Sequence, residues 1–508
     1  MFSSIVSGTV WGLNAHLIKV EVDVSSGLPC FAMVGSLSGE VKESAERVRI
    51  ALKNMKINVP PMHVAVNLSP GDIKKQGTGF DFPIALGLLM AMQKIDPKAL
   101  EKTLVIGEIG LNGSINSVNG VMPIVWEGKK NGIETALVPK ANVNEASLIE
   151  GIKVIGIDNL SAAIEYINSE DKDSIIGPAV CDLSKMSLRN NLDFADVVGQ
   201  ESLKRGALIG AAGAHHILIM GPPGTGKTMI ACRIPSILPP LSQNERMDVT
   251  SIYSIAGKLS ANTPLICERP FVAPHHTMTP QSMAGGGGVP RPGAVSLAHK
   301  GVLFLDELPE FMRTAIDMLR EPLEEKNINI SRAAGSFTYP ADIMLVAAMN
   351  PCPCGYYPDF NKCNCSPVAI KHYISHISGP ILDRIDICLR AEKVNIKTLN
   401  NSDDSISSAV MKGQVLAARK IQEERYKGLN ITCNSELTPD KIKEFCHLGS
   451  REKTLFEDIC TKLDLSARAY HRTLKVARTI ADIEGSKDIK EKHLTEAVCY
   501  RTQMGLIR

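Results

Sequence analysis

The sequence predicts an α/β protein in three parts: an α+β domain over residues 1–170, a parallel-sheet α/β domain over 191–394, and a helical domain over 395–508. Three observations predict it. The apolar runs Ile217–Met220, Val302–Leu305 and Met344–Ala348 do not alternate, as expected of strands buried on both faces. Helical patterns separate these runs, which is the alternation of a parallel sheet. Beyond residue 395 the strand-like runs stop and apolar residues recur at helical spacing.

In the first part, Ile18–Val24, His63–Val66 and Thr103–Gly107 read as strands and Val41–Lys53 as a helix. Residues 171–190 are polar and aperiodic and read as a linker. The last part should hold helices at Ser407–Lys427, Pro439–Cys446, Arg451–Thr461, Ala467–Ile483 and Lys492–Arg501. A length of 508 residues fits about three domains.

Composition narrows the class. The chain has 56 Lys+Arg against 54 Asp+Glu, a net charge of +2, so any contact with nucleic acid must be local. At 44% hydrophobic and 22% charged, it is neither disordered nor fibrous. The apolar run Ile84–Met92 is too short to span a bilayer, so no membrane partner is expected. Thirteen cysteines, and no basic stretch ahead of an apolar one at the N-terminus, point to reduced thiols and a cytoplasmic location.

The chemistry is carried by three strand ends. Gly221-Pro222-Pro223-Gly224-Thr225-Gly226-Lys227-Thr228 follows the apolar run Ile217–Met220 and matches G-x-x-x-x-G-K-[ST]. Its glycines let backbone N–H groups face phosphates, Lys227 would reach the β- and γ-phosphates, and Thr228 would hold Mg²⁺. Val302–Leu305 ends in Asp306 and Glu307; the first would hold Mg²⁺, the second would orient the attacking water. Leu345-Val-Ala-Ala-Met ends in Asn350, an amide for the γ-phosphate or the water. ATP and Mg²⁺ are therefore the expected substrate and cofactor.

The order phosphate loop, acidic strand end, Asn-tipped strand, Gly379-Pro-Ile-Leu-Asp-Arg384 and helical lid resembles an AAA+ ATPase. Ala273-Pro-His275-His276, Leu303-Phe-Leu-Asp-Glu-Leu-Pro-Glu310 and Asn350-Pro-Cys-Pro-Cys-Gly355 resemble the Mg-chelatase-like group, and most closely the YifB/ComM family. The resemblance covers essentially the whole chain. It implies a homo-hexameric ring in which Arg384 completes the neighbour's site; the alternative is an intrachain ion pair with Asp383 or Asp386. Arg468, Arg472, Lys475 and Arg478 share one face of the helix Ala467–Ile483. The resemblance makes Arg468 the sensor arginine and Arg472 the fallback, against a solvated basic face.

Residues 65–140 resemble the Lon-type peptidase fold. Gly79 and Met122 stand where the nucleophilic serine and its lysine would, so the domain should be catalytically dead. Ser69, Lys74 and Lys75 are near in sequence but are not placed as a dyad by the motif.

Cys352, Cys354, Cys363 and Cys365 form two C-x-C pairs, either a structural Zn²⁺ site or reduced thiols in a turn. Asn327–Tyr339 reads as a β-hairpin with Arg332 near its tip, and Ser282–Pro292 as a glycine-rich loop carrying Arg291. Both arginines are candidate DNA contacts, against an ordinary surface hairpin; His275 and His276 read as a structural pair or as contacts to nucleic acid or metal. The resemblance implies a helicase acting on single-stranded or branched DNA and promoting branch migration during natural transformation. The alternatives are a Mg-chelatase-like motor that remodels a protein partner, and an ATP-dependent peptidase.

Overall fold

A computed structural model describes residues 1–169, 192–259, 263–287, 290–332, 335–393 and 406–505. The linker expected at 171–190 lies outside the described residues. The chain divides into two compact units. One holds the N-terminal residues together with 243–266; the other holds the remaining central segment and the C-terminal helices. By sequence, residues 243–266 fall in the central domain.

The first unit is built on a seven-stranded mixed sheet. Its order is Cys30–Val34, His63–Ser69, Asn14–Ser25, Phe2–Trp11, Thr103–Val105, Thr135–Pro139 and Lys153–Ile157. The second, third and fourth strands pair antiparallel, and all other pairs are parallel. Asn14–Ser25 buries Ile18, Val20, Val22 and Val24 on one face, while Ala15 and Leu17 on the other pack against a second apolar cluster. The helix Asp81–Ala91 is buried on every side, so its sequence shows almost no amphipathic pattern. The expected helix Val41–Lys53 is broken at Glu43 into Gly39–Lys42 and Ser44–Asn54.

The helix Gln243–Ile255 packs in this unit, against the helix Val121–Lys130. The Ser254 hydroxyl donates to Glu145 at 2.7 Å, and the Gly120 N–H donates to the Ser254 carbonyl at 3.2 Å. Burial pushes the Glu145 carboxyl up, while its bonds from Ser254 and Asn142 favour the charged form.

The second unit carries a five-stranded, all-parallel sheet. Its order is Phe271–Val272, Val302–Leu305, Met344–Met349, Ile217–Met220 and Ile387–Arg390. Every residue of the three middle strands is buried, which is why their sequences run apolar without alternation. Parallel pairing brings the C-terminal ends of these strands to one edge, where open α/β sheets bind ligands.

The C-terminal helices are Ser408–Arg425, Pro439–Phe445, Ser450–Lys462, Ala467–Ile483 and Glu491–Gly505. One apolar core runs from the sheet into them, joining Ile217 and Ile387 to Val415, Phe456, Leu474 and Ala477. Ser407 and Ser466 cap two of these helices, their hydroxyls accepting from the N–H groups of Val410 and Ala469.

Candidate nucleotide site

At the sheet edge lies a cleft of about 400 Å³ lined by residues 223–229 with Asp306, Glu307, Met349 and Asn350. The loop 221–226 turns tightly enough that Gly224 and Gly226 take φ of +75° and +83°, a backbone that side-chain-bearing residues rarely adopt. A Cβ on Gly221 would meet the Ala391 carbonyl oxygen at 2.5 Å, so that position is held to glycine by close packing. The helix begins at Lys227, directly after Gly226.

Lys227 is buried at 9% exposure. Its ammonium donates to the carbonyls of Gly221 and Pro222 at 2.8 and 2.9 Å and to Asn350 Oδ1 at 3.1 Å. Burial pulls its pKa down, and Asp306 and Glu307 oppose that by their charge. Thr228 Oγ1 donates to Asp306 Oδ2 at 2.9 Å. Hydroxyl and carboxylate thus meet at one corner of the cleft, a hard-oxygen pair that fits Mg²⁺. Glu307 follows with φ of +53°, its N–H bonded to Asp306 Oδ1 at 3.0 Å. A left-handed backbone costs about 1–3 kcal/mol off glycine, and Glu307 lines the cleft from it.

The arginines are placed differently. Arg384 does not line the cleft of its own chain. Its guanidinium pairs with Glu324 at 2.6 Å and donates to the Pro380 carbonyl at 2.8 Å, while its buried Nε finds no partner among the described residues. The intrachain partner is therefore neither Asp383 nor Asp386, the two candidates suggested by sequence adjacency.

Arg472 donates to Asp386 at 2.5 Å and to the Arg384 carbonyl at 2.8 Å, so it is a brace and does not line the cleft. Asp386 is fully buried; Arg472 and His215 hold its carboxyl well below the usual range against the cost of burial. Arg478 is buried on Asp482 and the carbonyls of Ser486 and Lys487, and Lys475 donates to the Ser435 carbonyl. Three of the four cations of the expected basic face are thus internal braces that satisfy acceptors, and the solvated reading holds for Arg468 alone. Arg468 alone of the four is exposed and has no partner among the described residues; it does not line the cleft.

The four cysteines converge. Their sulfurs all lie within 4.8 Å of one another, with Cys352–Cys354, Cys352–Cys363 and Cys354–Cys363 at 3.3, 3.7 and 3.6 Å. A tetrahedral metal with bonds of about 2.3 Å would set its sulfurs about 3.8 Å apart. The donor set therefore fits Zn²⁺ in size and chemistry. This loop also abuts the phosphate loop: a Cβ on Gly355 would meet Pro223 Cδ at 2.7 Å and Asn350 Cγ at 3.8 Å.

The strand Asn327–Arg332 pairs antiparallel with Gly335–Pro340, and Arg291–Pro292 pairs with Gly285–Gly286. The hydroxyl of Tyr339 donates to the Pro290 carbonyl at 2.7 Å, and Arg332 Nη2 lies 3.5 Å from where a Gly286 Cβ would sit. The two exposed arginines, far apart in sequence, thus belong to neighbouring ribbons. His276, read from sequence as half of a structural pair, has its Nδ1 3.5 Å from Glu307 Oε2.

In the first unit, Gly79 packs near Ile106, and Met122 is buried with its sulfur accepting from Ser251 Oγ at 3.2 Å. The buried Lys75 ammonium donates to the Pro70 carbonyl, not to a serine hydroxyl. Burial pulls its pKa down.

Three families match: subunit ChlI of Mg-chelatase over 20–142, magnesium chelatase subunit ChlI over 193–399 and magnesium chelatase subunit ChlI C-terminal over 405–501. Competence protein ComM of Haemophilus influenzae is 40% identical over 499 residues, covering 98% of this chain and 97% of its own length. The uncharacterized protein YifB of Escherichia coli is 42% identical over 494 residues, covering 96% and 95%. Lon protease 2 of Bacillus subtilis is 30% identical over 184 residues, 32% of each chain. No helix among the described residues is long and apolar enough to cross a membrane. With a phosphate loop, an acidic strand end and 40–42% identity to ComM and YifB over nearly its whole length, the chain belongs to the YifB/ComM family of Mg-chelatase-like AAA+ ATPases.

Proposed function

We propose that this ATPase is a ring motor, a homo-hexamer in the cytoplasm that translocates on DNA. Its work is that of a helicase promoting branch migration when incoming single strands recombine. The observation that carries this reading is the neighbouring pair of ribbons, which sets Arg332 against Gly286, the strand partner of Arg291; neither arginine lines the nucleotide cleft. Exposed arginines on thin ribbons suit phosphate contacts that do not read sequence. The near full-length identity to a competence protein supports the pathway. In this reading residues 1–170 are a catalytically dead Lon-like domain, 171–190 a linker, 191–394 the ATPase domain, whose residues 243–266 pack in the first unit, and 395–508 a lid.

In the proposed chemistry Lys227 releases its carbonyl contacts to the β- and γ-phosphates, and Asn350 turns from Lys227 to the γ-phosphate or the water. Thr228 and Asp306 would hold Mg²⁺, which would neutralise phosphate charge. Glu307 polarises the attacking water. Arg384 leaves Glu324 to reach a neighbouring subunit's γ-phosphate, and Arg468 reaches back from the lid. Cys352, Cys354, Cys363 and Cys365 hold a structural Zn²⁺.

A chelatase-type motor acting on a protein is the second reading, favoured by the three chelatase-subunit families that match. The peptidase reading is weakened by Gly79 and Met122 and by the Lys75 contact to a carbonyl. The test is ATPase rate against DNA concentration at two salt concentrations, for the wild type and Arg332→Ala. The DNA motor predicts stimulation, with the salt slope of binding reduced by roughly one unit in Arg332→Ala. A flat wild-type curve at both salts would remove the DNA reading and leave the ATPase.

A further inference from the structure

Residues 383–386 join the helix Gly379–Leu382 to the strand Ile387–Arg390, and Arg384 is among them. Two arginines from two C-terminal helices grip this turn. Arg472, on Ala467–Ile483, donates from Nη1 to the Arg384 carbonyl at 2.8 Å and to Asp386 Oδ1 at 2.5 Å. Arg501, on Glu491–Gly505, donates to the Ile385 carbonyl at 2.7 Å, and its Nη2 lies 3.9 Å from Asp383. Every residue of the turn thus meets one of the two guanidiniums through a carbonyl or a carboxylate. The sheet side closes the grip: the Asp386 carboxylate accepts from the His216 N–H at 3.3 Å, and the His216 carbonyl accepts from the Asp386 and Ile387 N–H groups at 3.1 Å. A guanidinium is a rigid planar fork, so it fixes two acceptors relative to each other.

The Arg384 side chain is held less completely than its backbone. Its partner Glu324 is about half exposed, and its own buried Nε has no partner among the described residues. A braced backbone under a side chain with a donor unspent suits a group that must swing to a distant phosphate from a fixed origin.

We propose that Arg472 and Arg501 are positioning residues for hydrolysis in the neighbouring subunit: they fix the backbone from which Arg384 reaches that subunit's γ-phosphate. Neither lines the cleft of its own chain, and both act through Arg384. The proposal rests on the reading of Arg384 as the group that completes a neighbour's site. It gives the C-terminal helices of one chain a hold on hydrolysis in the next.

The test uses full-length chains. Arg501→Met keeps a buried stem and removes the donors; Arg472→Lys keeps a cation beside Asp386 and gives up the fork. Each is assayed alone and mixed with Glu307→Gln chains, whose own sites are dead but whose Arg384 is intact, with ATP affinity and thermal melting followed in parallel. Alone, each variant should turn over roughly 10- to 100-fold slower, the effect of about 1 Å of misplacement, with ATP affinity held. On mixing, a variant's intact site receives a well-placed Arg384 from the Glu307→Gln chain, and turnover per variant chain should rise severalfold. A brace that serves only its own chain's site or fold predicts no rise, and that result overturns the proposal. Wild-type turnover in either variant alone removes that arginine from the role. Should one variant melt far below the wild type, the other carries the decision. Arg384→Ala mixed with Glu307→Gln isolates the underlying reading: no recovery there removes the trans role of Arg384, whereas recovery there without recovery in the Arg501→Met and Arg472→Lys mixtures removes the positioning role alone.

Discussion

Replacing Cys363 by serine tests whether the four-cysteine loop is a metal site that supports catalysis. Cys363 is buried and its sulfur lies within 3.7 Å of those of Cys352 and Cys354, so serine withdraws one of four converging ligands. Structural zinc contributes about 10–16 kcal/mol in small zinc-folded units, or about 3 kcal/mol per ligand. Losing that share weakens metal binding about 100-fold, since each 1.4 kcal/mol is about a factor of ten. The consequence reaches the nucleotide, because Asn350 lies two residues before Cys352 and Gly355 packs on Pro223. Metal analysis of protein purified without chelator should find about one Zn²⁺ per wild-type chain. Cys363→Ser should retain far less metal under the same wash and show a lower ATPase rate. A metal-free wild type with full ATPase activity would refute the metal site, and a metal-depleted Cys363→Ser with full activity would refute its link to catalysis.

Glu307→Gln should keep ATP binding and nearly abolish turnover, whereas Lys227→Ala should weaken binding itself; nucleotide titration and steady-state hydrolysis distinguish the two, and brisk turnover in Glu307→Gln would break the assignment. If Arg384 acts on a neighbouring subunit, mixing Arg384→Ala with Glu307→Gln subunits should recover ATPase activity that neither has alone. If the Glu324 ion pair is its whole role, mixing two co-assembling variants recovers nothing. Burial holds the His216 pKa down at about 4, against an ordinary 6.5, so the folded state keeps it neutral while the unfolded state takes up a proton. Stability from this group is full above about pH 6.5 and is lost as pH falls towards 4, by about 2 kcal/mol at pH 5. Thermal melts between pH 7 and 5 check this: His216→Gln should flatten the slope, and an unchanged slope would sink the idea.

The linear code of the phosphate loop and of the two strand ends was legible because it needs only local order. A buried strand, a glycine turn and a helix start fix Lys227 and Thr228, and a strand end fixes Asp306, whatever surrounds them. The same holds for the three middle strands of the second unit, whose apolar runs state burial on both faces. The helix Ala467–Ile483 has the bounds its pattern predicts, with its cap at Ser466. Partnerships between distant segments were not legible. Nothing in the spacing says that Arg472 and Arg478 are spent on buried acceptors, that Arg384 finds Glu324, or that residues 243–266 pack in the N-terminal unit. A charged side chain has the same local pattern whether it meets solvent, substrate or a buried carboxylate, and only the three-dimensional path of the chain decides which. The His276–Glu307 contact is the clearest case: the sequence separates the two by two short helices, a ribbon and a buried strand, and the fold brings them to 3.5 Å.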